Sequence, residues 1–317
     1  MAARGPQRAV AAPAGVFRMS LRRVRPLLLA LSWAACALSG AAAAADAPPA
    51  APAWMELAPG LSAWQGPATT VLLAESEQGA LLVDSELEKT APALLQALAG
   101  RKPLRYVVNT HWHGDHVGGN RALAAAGATV IAHENARRRM AEDTFLKHHN
   151  RVIPALPAEF LPTLTLAGGG RLHLGGLEAR LIHVPAAHTD GDLLVHFPAA
   201  NVLHMGDCYF NGLYPIIDTG TGGTVDGLIA ALDRGLSLAD GRTRILAGHG
   251  PIGGRDDLKA ARDMLIQVRD RVAALKRAGR SREEVLAAAP TADLDPRWGQ
   301  GWVKPAQIVS SVYDSLP

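Results

Sequence analysis

The chain has 317 residues, of which 32 are basic and 29 are acidic. The first 45 positions contain six arginines and no acidic residue, so the remainder has 26 basic and 29 acidic side chains and a formal charge of −3. This remainder has no basic excess with which to hold nucleic-acid phosphates, and we expect no nucleic-acid partner. Its length predicts one large domain with a sizeable core.

Residues 1–45 have the pattern of a secretory signal peptide. Three arginines precede the apolar stretch 26–38, and small residues follow as far as Ala45. We expect translation to start at Met19 rather than Met1, because Met19 begins a compact signal, and cleavage to follow Ala45. The apolar stretch is shorter than the ~20 residues that a spanning helix needs, so no stable membrane span is expected after cleavage. The pattern predicts export to the periplasm.

Residues 46–53, rich in alanine and proline, are predicted to form a disordered linker, and the fold is expected to start near Trp54. The predicted strands are 69–73, 80–84, 106–109, 128–132, 171–174, 179–183, 193–197, 202–205 and 244–247. The predicted helices are 90–99, 121–126, 135–149, 224–238, 256–278, 281–289 and 305–315. This order fits two sheets packed face to face with helices outside, in a domain at 54–254 with a C-terminal helical extension at 255–317 packed on it as a cap.

The densest group of polar side chains follows the strand at 106–109. It places His111, His113, Asp115 and His116 within six residues. Imidazole and carboxylate donors suit zinc or iron, and a cluster this tight can hold two ions. In an extended segment alternate side chains share a face, so the first two histidines are expected to converge on one ion and the other two residues on a neighbouring ion.

The string His-x-His-x-Asp-His, followed by Gly118-Gly119, resembles the metallo-β-lactamase superfamily, including class B β-lactamases and glyoxalase II-like hydrolases. The later parts of that pattern occur in order as His188 after a strand, Gly206-Asp207 after another strand, and Gly248-His249-Gly250. The resemblance implies an α+β fold, a four-layer αββα sandwich with a C-terminal helical cap, and metal-bearing loops gathered along one edge.

The same resemblance implies a metal site and a reaction. It assigns His111, His113 and His188 to a first ion, Asp115, His116 and His249 to a second, and Asp207 to a bridge between them. Two zinc ions are expected, with iron as an alternative. The implied reaction is attack of a metal-bridging hydroxide on the carbonyl of a small ester, lactone, thioester or β-lactam, with Asp115 as the catalytic residue that orients the nucleophile or moves its proton.

Two other positions have two interpretations each. Asp84 ends a strand where the family often has an aspartate that orients a ligand histidine, but it could equally cap the helix that follows. Thr189 and Asp190, directly after His188, either support that ligand or form a turn.

Residues close to the metal loops in sequence are candidates for the substrate pocket. Asn211 and Tyr214 are such candidates, as are Trp112 and Phe210, which core packing explains equally well. The shape of the pocket is expected to depend on the loops at 134–170 and 209–223.

Cys208 lies beside Asp207, and one large subclass of β-lactamases has a cysteine ligand at this point. Adjacent side chains at a strand end usually point to opposite sides, so we expect Asp207 to be the ligand and Cys208 a buried or pocket-wall thiol. Cys36 is the only other cysteine, and signal cleavage would leave no intramolecular disulfide. His183, His196 and His204 in apolar strands, and His148-His149 on the predicted charged helix, are expected to be structural or solvated.

The best named function is an exported β-lactamase-like metallo-hydrolase, and the motifs support it only in part. His116 resembles one β-lactamase subclass, whereas Gly206-Asp207 resembles hydroxyacylglutathione hydrolases and lactonases. The export signal argues against a glutathione thioester, which is mainly cytosolic. The alternatives are a mononuclear iron enzyme similar to persulfide dioxygenases, and a periplasmic metal-binding protein without turnover. The oligomeric state stays open.

Overall fold

The computed structural model describes residues 53–317, so the predicted signal peptide and positions 46–52 of the predicted linker lie outside the described residues. The strands are β1 (Met55–Ala58), β2 (Leu61–Gln65), β3 (Thr70–Ser76), β4 (Gly79–Val83), β5 (Leu104–Val108), β6 (Thr129–His133), β7 (Thr144–Leu146), β8 (Arg151–Ile153), β9 (Leu164–Leu166), β10 (Gly170–Leu174), β11 (Leu177–Val184), β12 (Asp192–Phe197), β13 (Val202–His204) and β14 (Arg244–Leu246). The helices are α1 (Ala91–Ala97), α2 (Gly114–Val117), α3 (Asn120–Ala125), α4 (Glu134–Ala141), α5 (Val225–Leu238), α6 (Arg255–Arg277), α7 (Arg282–Ala287), α8 (Asp295–Trp298) and α9 (Pro305–Ser315). Among residues 53–317, none of these helices is long and apolar enough to cross a membrane.

Two mixed sheets form the centre of the fold. The first has the order β1-β2-β3-β4-β5-β6-β9, with an antiparallel meander up to β4 and parallel pairing from β4 to β9. The second has the order β10-β11-β12-β13-β14, in which only the last pair is parallel. The strands β7 and β8 form a separate hairpin.

Side chains alternate along the strands between the space shared by the two sheets and the outer faces. Leu72 and Leu81 of the first sheet pack with Leu181 and Val195 of the second, and all four are buried. Because successive side chains of a strand point to opposite faces, the residues between them face outward. Burying one leucine or valine contributes about 1.5–3 kcal/mol, so this layer is a major part of the core.

Helices cover both outer faces. Leu73 of β3 packs with Leu94 of α1 and Leu123 of α3 on the first sheet. On the second sheet, Leu203 of β13 belongs to one cluster with residues of α5, α6 and α9, such as Leu258. The predicted α+β sandwich with the layer order αββα is confirmed.

The residues after 254 form part of this outer layer. The helix α6 packs along α5, and Leu265 of α6 shares the buried cluster with Val309 and Val312 of α9. The 255–317 segment therefore shares a buried cluster with the second sheet.

The predicted helix at 135–149 is wrong in its second half. The helix α4 ends at Ala141, and the chain continues as the hairpin β7–β8 with a 3₁₀ turn at Lys147–His149. Asn150 takes a left-handed conformation with φ 48°, which asparagine tolerates, and this closes the hairpin. The strands β1, β2 and β9 also lack a sequence prediction, because pairing with neighbouring strands rather than local propensity defines them.

Candidate metal centre

The cluster begins where β5 ends. After Val108 the chain bends through residues 109–113 and then enters the one-turn helix α2. Asn109 secures this bend, because its Nδ2 donates to the carbonyl oxygen of His116 and to Asn120 Oδ1, each at 3.0 Å. The prediction that His111 and His113 converge because the segment is extended is wrong in its geometry, since a bend and a helical turn bring the side chains together.

The first group of donors comprises His111, His113, His188 and Asp207, with one ligand atom of each lying within 4.8 Å of the others. His188 lies in the loop between β11 and β12, and Asp207 in a 3₁₀ turn after β13. The Oδ2 atom of Asp207 is 3.8 Å from His111 Nε2 and 3.6 Å from His188 Nε2.

The second group comprises Asp115, His116 and His249. His249 follows β14, and its Nε2 lies 3.3 Å from Asp115 Oδ2 and 3.3 Å from Asp207 Oδ2. The Nε2 of His116 is 3.2 Å from Asp207 Oδ1. The Asp207 carboxylate thus lies between the two groups, and the structure brings together all seven residues that the sequence assigned to the metal site.

The outward nitrogens of three imidazoles are already hydrogen bonded. His116 Nδ1 donates to Asp84 Oδ2 at 2.7 Å, and His188 Nδ1 donates to the carbonyl oxygen of Ile216 at 2.9 Å. His113 Nε2 donates to Asp218 Oδ2 at 3.1 Å. These contacts fix the tautomers so that the remaining nitrogens, which carry lone pairs, point into the cluster.

This arrangement fits a bound cation. His113 Nδ1 and His188 Nε2 lie 2.9 Å apart, and their lone pairs repel unless a cation lies between them. His111 Nε2 is buried and has no hydrogen-bond partner among the described residues. Burial, and then the nearby His116, lower the pKa of His111, which keeps it neutral as a metal ligand must be. Imidazoles with two carboxylates suit a divalent ion such as zinc.

Asp84 contacts His116, one of the candidate metal ligands, and does not cap a helix. Its carboxylate is fully buried and also accepts from the Thr110 backbone N–H at 2.7 Å and Oγ1 at 2.8 Å. The residue before α1 is Thr90, so the alternative of an N-cap at Asp84 is wrong. Asp84 therefore orients His116.

Asp218 is the position that the sequence analysis missed. It is fully buried, and besides His113 it accepts from Thr221 Oγ1 at 2.6 Å and from the Gly220 backbone N–H at 3.2 Å. Locally, the run Asp-Thr-Gly is typical of a turn. Its contact with a histidine more than a hundred positions away has no local signal.

Two other predicted residues hold backbone around the cluster. Thr189 forms a turn, with its N–H and Oγ1 donating to Asp192 at 2.8 and 2.5 Å, and no contact joins it to the ring of His188 in the described structure. Asn211 secures the loop that carries His249, since its N–H donates to the His249 carbonyl oxygen at 3.0 Å and its Nδ2 to that of Pro251 at 2.9 Å.

The structure places Tyr214 and Cys208 in the hydrophobic core instead of the pocket. The hydroxyl of Tyr214 donates to Asp295 Oδ1 at 2.8 Å, which links the core to α8. Cys208 is a buried free thiol, and burial raises its pKa well above the usual value, so it is an unreactive thiol.

The carboxylate of Asp190 accepts from Arg138 and Arg139 at 3.0 and 2.8 Å, so it is occupied by ion pairs with α4.

A cavity of about 510 Å³ opens above the cluster. We call His113, Asp115, Asp207 and His249 its floor. Its outer wall consists of the hairpin β7–β8 and Trp302, whose indole is half exposed and lies 4.8 Å from the His249 ring. The predicted loop 134–170 supplies much of the lining, whereas Trp302 had no sequence signal.

Several of the other histidines have defined positions. His204 Nε2 donates to the Thr70 carbonyl oxygen at 3.0 Å, and the ring of His183 stacks on that of His133 at 3.8 Å. These are structural contacts. His148 and His149 lie on the hairpin turn and line the cavity, so their prediction as helix-surface residues is wrong.

Comparisons with known proteins identify relatives of the chain. The sequence profile of the metallo-beta-lactamase superfamily matches residues 64–250. A hydroxyacylglutathione hydrolase of Methylococcus capsulatus is 36% identical over 122 residues, which are 38% of this chain and 40% of the relative. One from Gloeobacter violaceus is 35% identical over 146 residues, which are 45% of this chain and 48% of the relative. The chain thus matches less than half the length of these relatives.

Solved structures share the fold. A metallo-beta-lactamase family protein from Thermus thermophilus superimposes with a TM-score of 0.58 at 21% identity, covering 82% of this chain and 93% of that protein. A sec-alkylsulfatase from Pseudomonas gives a TM-score of 0.61 at 20% identity, covering 83% of this chain and 50% of the other.

Proposed function

Because the chain belongs to the metallo-β-lactamase superfamily, we propose that it is a dinuclear zinc hydrolase that acts on a small molecule with an ester-type carbonyl, and on a thioester first of all. The observation that carries the proposal is the position of Asp207. Its carboxylate lies 3.2–3.3 Å from two nitrogens of one donor group and 3.6–3.8 Å from two of the other. A carboxylate in this position suits two divalent ions held side by side.

The chemistry divides between the ions and the chain. Two bound zinc ions would lower the pKa of a shared water toward ~7 and polarise a carbonyl oxygen. Asp115 faces the cavity with 26% of its side chain exposed, and its carboxylate can orient the attacking water and pass on its proton. The water oxygen forms a bond to the acyl carbon, the carbon–sulfur bond breaks, and the proton goes to the leaving thiolate. The products are a carboxylic acid and a thiol.

Two observations bear on the choice of substrate. The relatives named hydroxyacylglutathione hydrolases support a thioester, although the match spans less than half their length and does not extend the proposal to glutathione itself. A β-lactam is the second candidate, favoured by His116, which resembles a ligand of one β-lactamase subclass.

We further propose that the mature protein is periplasmic. This rests on the arginine-flanked apolar stretch before position 45. Sequencing the N-terminus of protein recovered from the periplasm tests it, and a start inside 1–40, or retention in the cytoplasm, contradicts it.

The experiment for the activity combines metal analysis with hydrolysis assays. Metal content of the purified protein is measured by mass spectrometry, beside hydrolysis of an acyl thioester, a lactone and a chromogenic cephalosporin. We expect two zinc ions per chain and turnover of the thioester. Asp115→Asn is expected to lose most of that turnover, and Asp226→Asn, at an exposed residue paired with Arg269, serves as the matched control.

Other outcomes assign other functions. One iron per chain without hydrolysis supports the persulfide dioxygenase-like alternative, and bound metal without any turnover supports a metal-binding protein. Turnover of the cephalosporin alone supports the β-lactamase alternative. Full activity in Asp115→Asn contradicts the role given to Asp115.

A further inference from the structure

The hairpin β7–β8 has one face toward the cavity and one toward solvent. Residues in register across the hairpin share a face, so Leu146 lies beside Arg151 on the cavity side. Phe145 and Val152 are likewise paired, and they are exposed on the opposite side. The hairpin therefore presents an arginine, framed by apolar side chains, to whatever occupies the cavity.

This arginine has no counter-charge. Among the described residues, two arginines line the cavity, and Arg139 is paired with Asp190 at 2.8 Å. The neighbouring Lys147 is paired with Asp314 at 2.7 Å. The side chain of Arg151 has neither an ion pair nor a hydrogen bond to any residue in the described part of the chain. Its guanidinium is thus the cation of the outer wall that is available to a ligand.

A second polar atom beside it also lacks a partner. His148 lines the same cavity, three positions before Arg151, and its ring lies 5.9 Å from that of the floor residue His113. Its Nδ1 is buried and makes no hydrogen bond within residues 53–317. A buried polar atom without a partner costs free energy, and a ligand atom within reach would remove that cost.

Apart from Arg139, which is paired with Asp190, and His149, most of the remaining wall is apolar. Trp112, Ile153, Leu156 and Trp302 are among the apolar residues that line the cavity. Its volume of about 510 Å³ suits a molecule of moderate size. The cavity thus combines a reactive floor, an apolar middle and a basic outer end.

We propose that the substrate carries a carboxylate on the part that does not react, and that the Arg151 guanidinium and His148 bind this carboxylate while an apolar segment packs against Trp302. The inference rests on the proposed hydrolase function and specifies its substrate class as monoanionic, amphipathic acyl thioesters or esters. A planar guanidinium binds a carboxylate through two parallel hydrogen bonds, which supplies both affinity and orientation.

The test compares two thioesters that differ only in this charge. The substrates are the phenylacetyl thioester of 3-mercaptopropionate and that of its neutral amide, assayed with the zinc-loaded protein. Wild type is expected to show a lower KM for the carboxylate. Arg151→Gln should raise that KM by ~10–100-fold with kcat nearly unchanged and with no effect on the amide. Arg151→Lys should restore part of the loss, because it keeps the charge.

A control and a binding assay separate the possible failures. Arg171→Gln, at an exposed arginine of β10, should leave both substrates unaffected. Binding of the thioether analogue of each substrate, which cannot be hydrolysed, is measured by calorimetry. If the carboxylate analogue binds more tightly through Arg151 but neither thioester is turned over, the hydrolase proposal fails and the subsite stands. Equal KM values, equal affinities, or equal losses for both compounds in Arg151→Gln overturn the subsite.

Discussion

The floor and the outer wall of the cavity differ in how firmly their side chains are held. On the floor, His113 has its outer nitrogen on Asp218, and Asp207 lies within 3.8 Å of four imidazole nitrogens. On the outer wall, the side chain of Arg151 has no hydrogen bond or ion pair among the described residues, and Trp302 is half exposed. Many contacts hold the side chains of the floor in one geometry. Few contacts restrain the residues of the outer wall, so these residues can be substituted with little effect on the floor.

Removing the metal should give the largest effect, because it leaves the floor with converging lone pairs and adjacent carboxylates. We expect a chelator to abolish hydrolysis and to lower the free energy of unfolding by about 4 kcal/mol. This is the stabilisation that a bound ligand gives when its free concentration is ~1,000 times its Kd. For a domain of this size the melting temperature should fall by ~10 °C. Scanning calorimetry with and without chelator measures this, and an unchanged transition would show that no ion is bound.

Asp207→Asn should come next, because it removes the charge between the two donor groups. We expect kcat/KM to fall about 10³-fold, equivalent to about 4 kcal/mol, and the bound metal to drop below two ions per chain. Steady-state kinetics and metal analysis on the same sample test this. The control is Asp226→Asn, and a variant that retains both ions and full activity would contradict the bridging role.

Asp218→Asn tests a residue that touches the floor only through another side chain. We expect zinc affinity to fall by ~10–100-fold, since an amide orients the His113 ring less well than a carboxylate does. Competition with a chelating dye measures the affinity, and Asp233→Asn, at an exposed residue paired with Arg262, is the control. Equal zinc affinities in the two variants would show that Asp218 only forms a turn and does not orient His113.

Trp302→Ala should have the smallest effect and should act on the wall alone. Its side chain is 50% exposed, so the free energy of unfolding should change by no more than ~0.5 kcal/mol. The KM for an apolar acyl thioester should rise by ~5–20-fold with unchanged metal content. Met55→Ala, at an exposed apolar residue on β1, is the control, and a change in metal content would place Trp302 with the floor instead.

The parts of this protein that the sequence predicts are those encoded locally. Continuous apolar runs identified buried strands such as 80–84, and the run from His111 to His116 identified one half of the candidate site. The other half was found because His188, Asp207 and His249 each follow a strand in the order that the family resemblance requires. Asp84 was recognised in the same way, although the sequence left two interpretations of it open.

Three features depend on tertiary structure alone: the hairpin β7–β8, the contact of Asp218 with His113, and the wall of the cavity. Segment 144–153 has a composition compatible with a helix, and pairing of its two halves made it a hairpin. Asp218 reaches His113 and Trp302 reaches His249 only because the two sheets and the C-terminal helices bring distant parts of the chain together. The sequence by itself therefore determined the layers, which depend on residue type and local period, and, together with the family resemblance, the candidate donors. The supporting contacts and the substrate-facing wall depend on long-range packing, which no local pattern encodes.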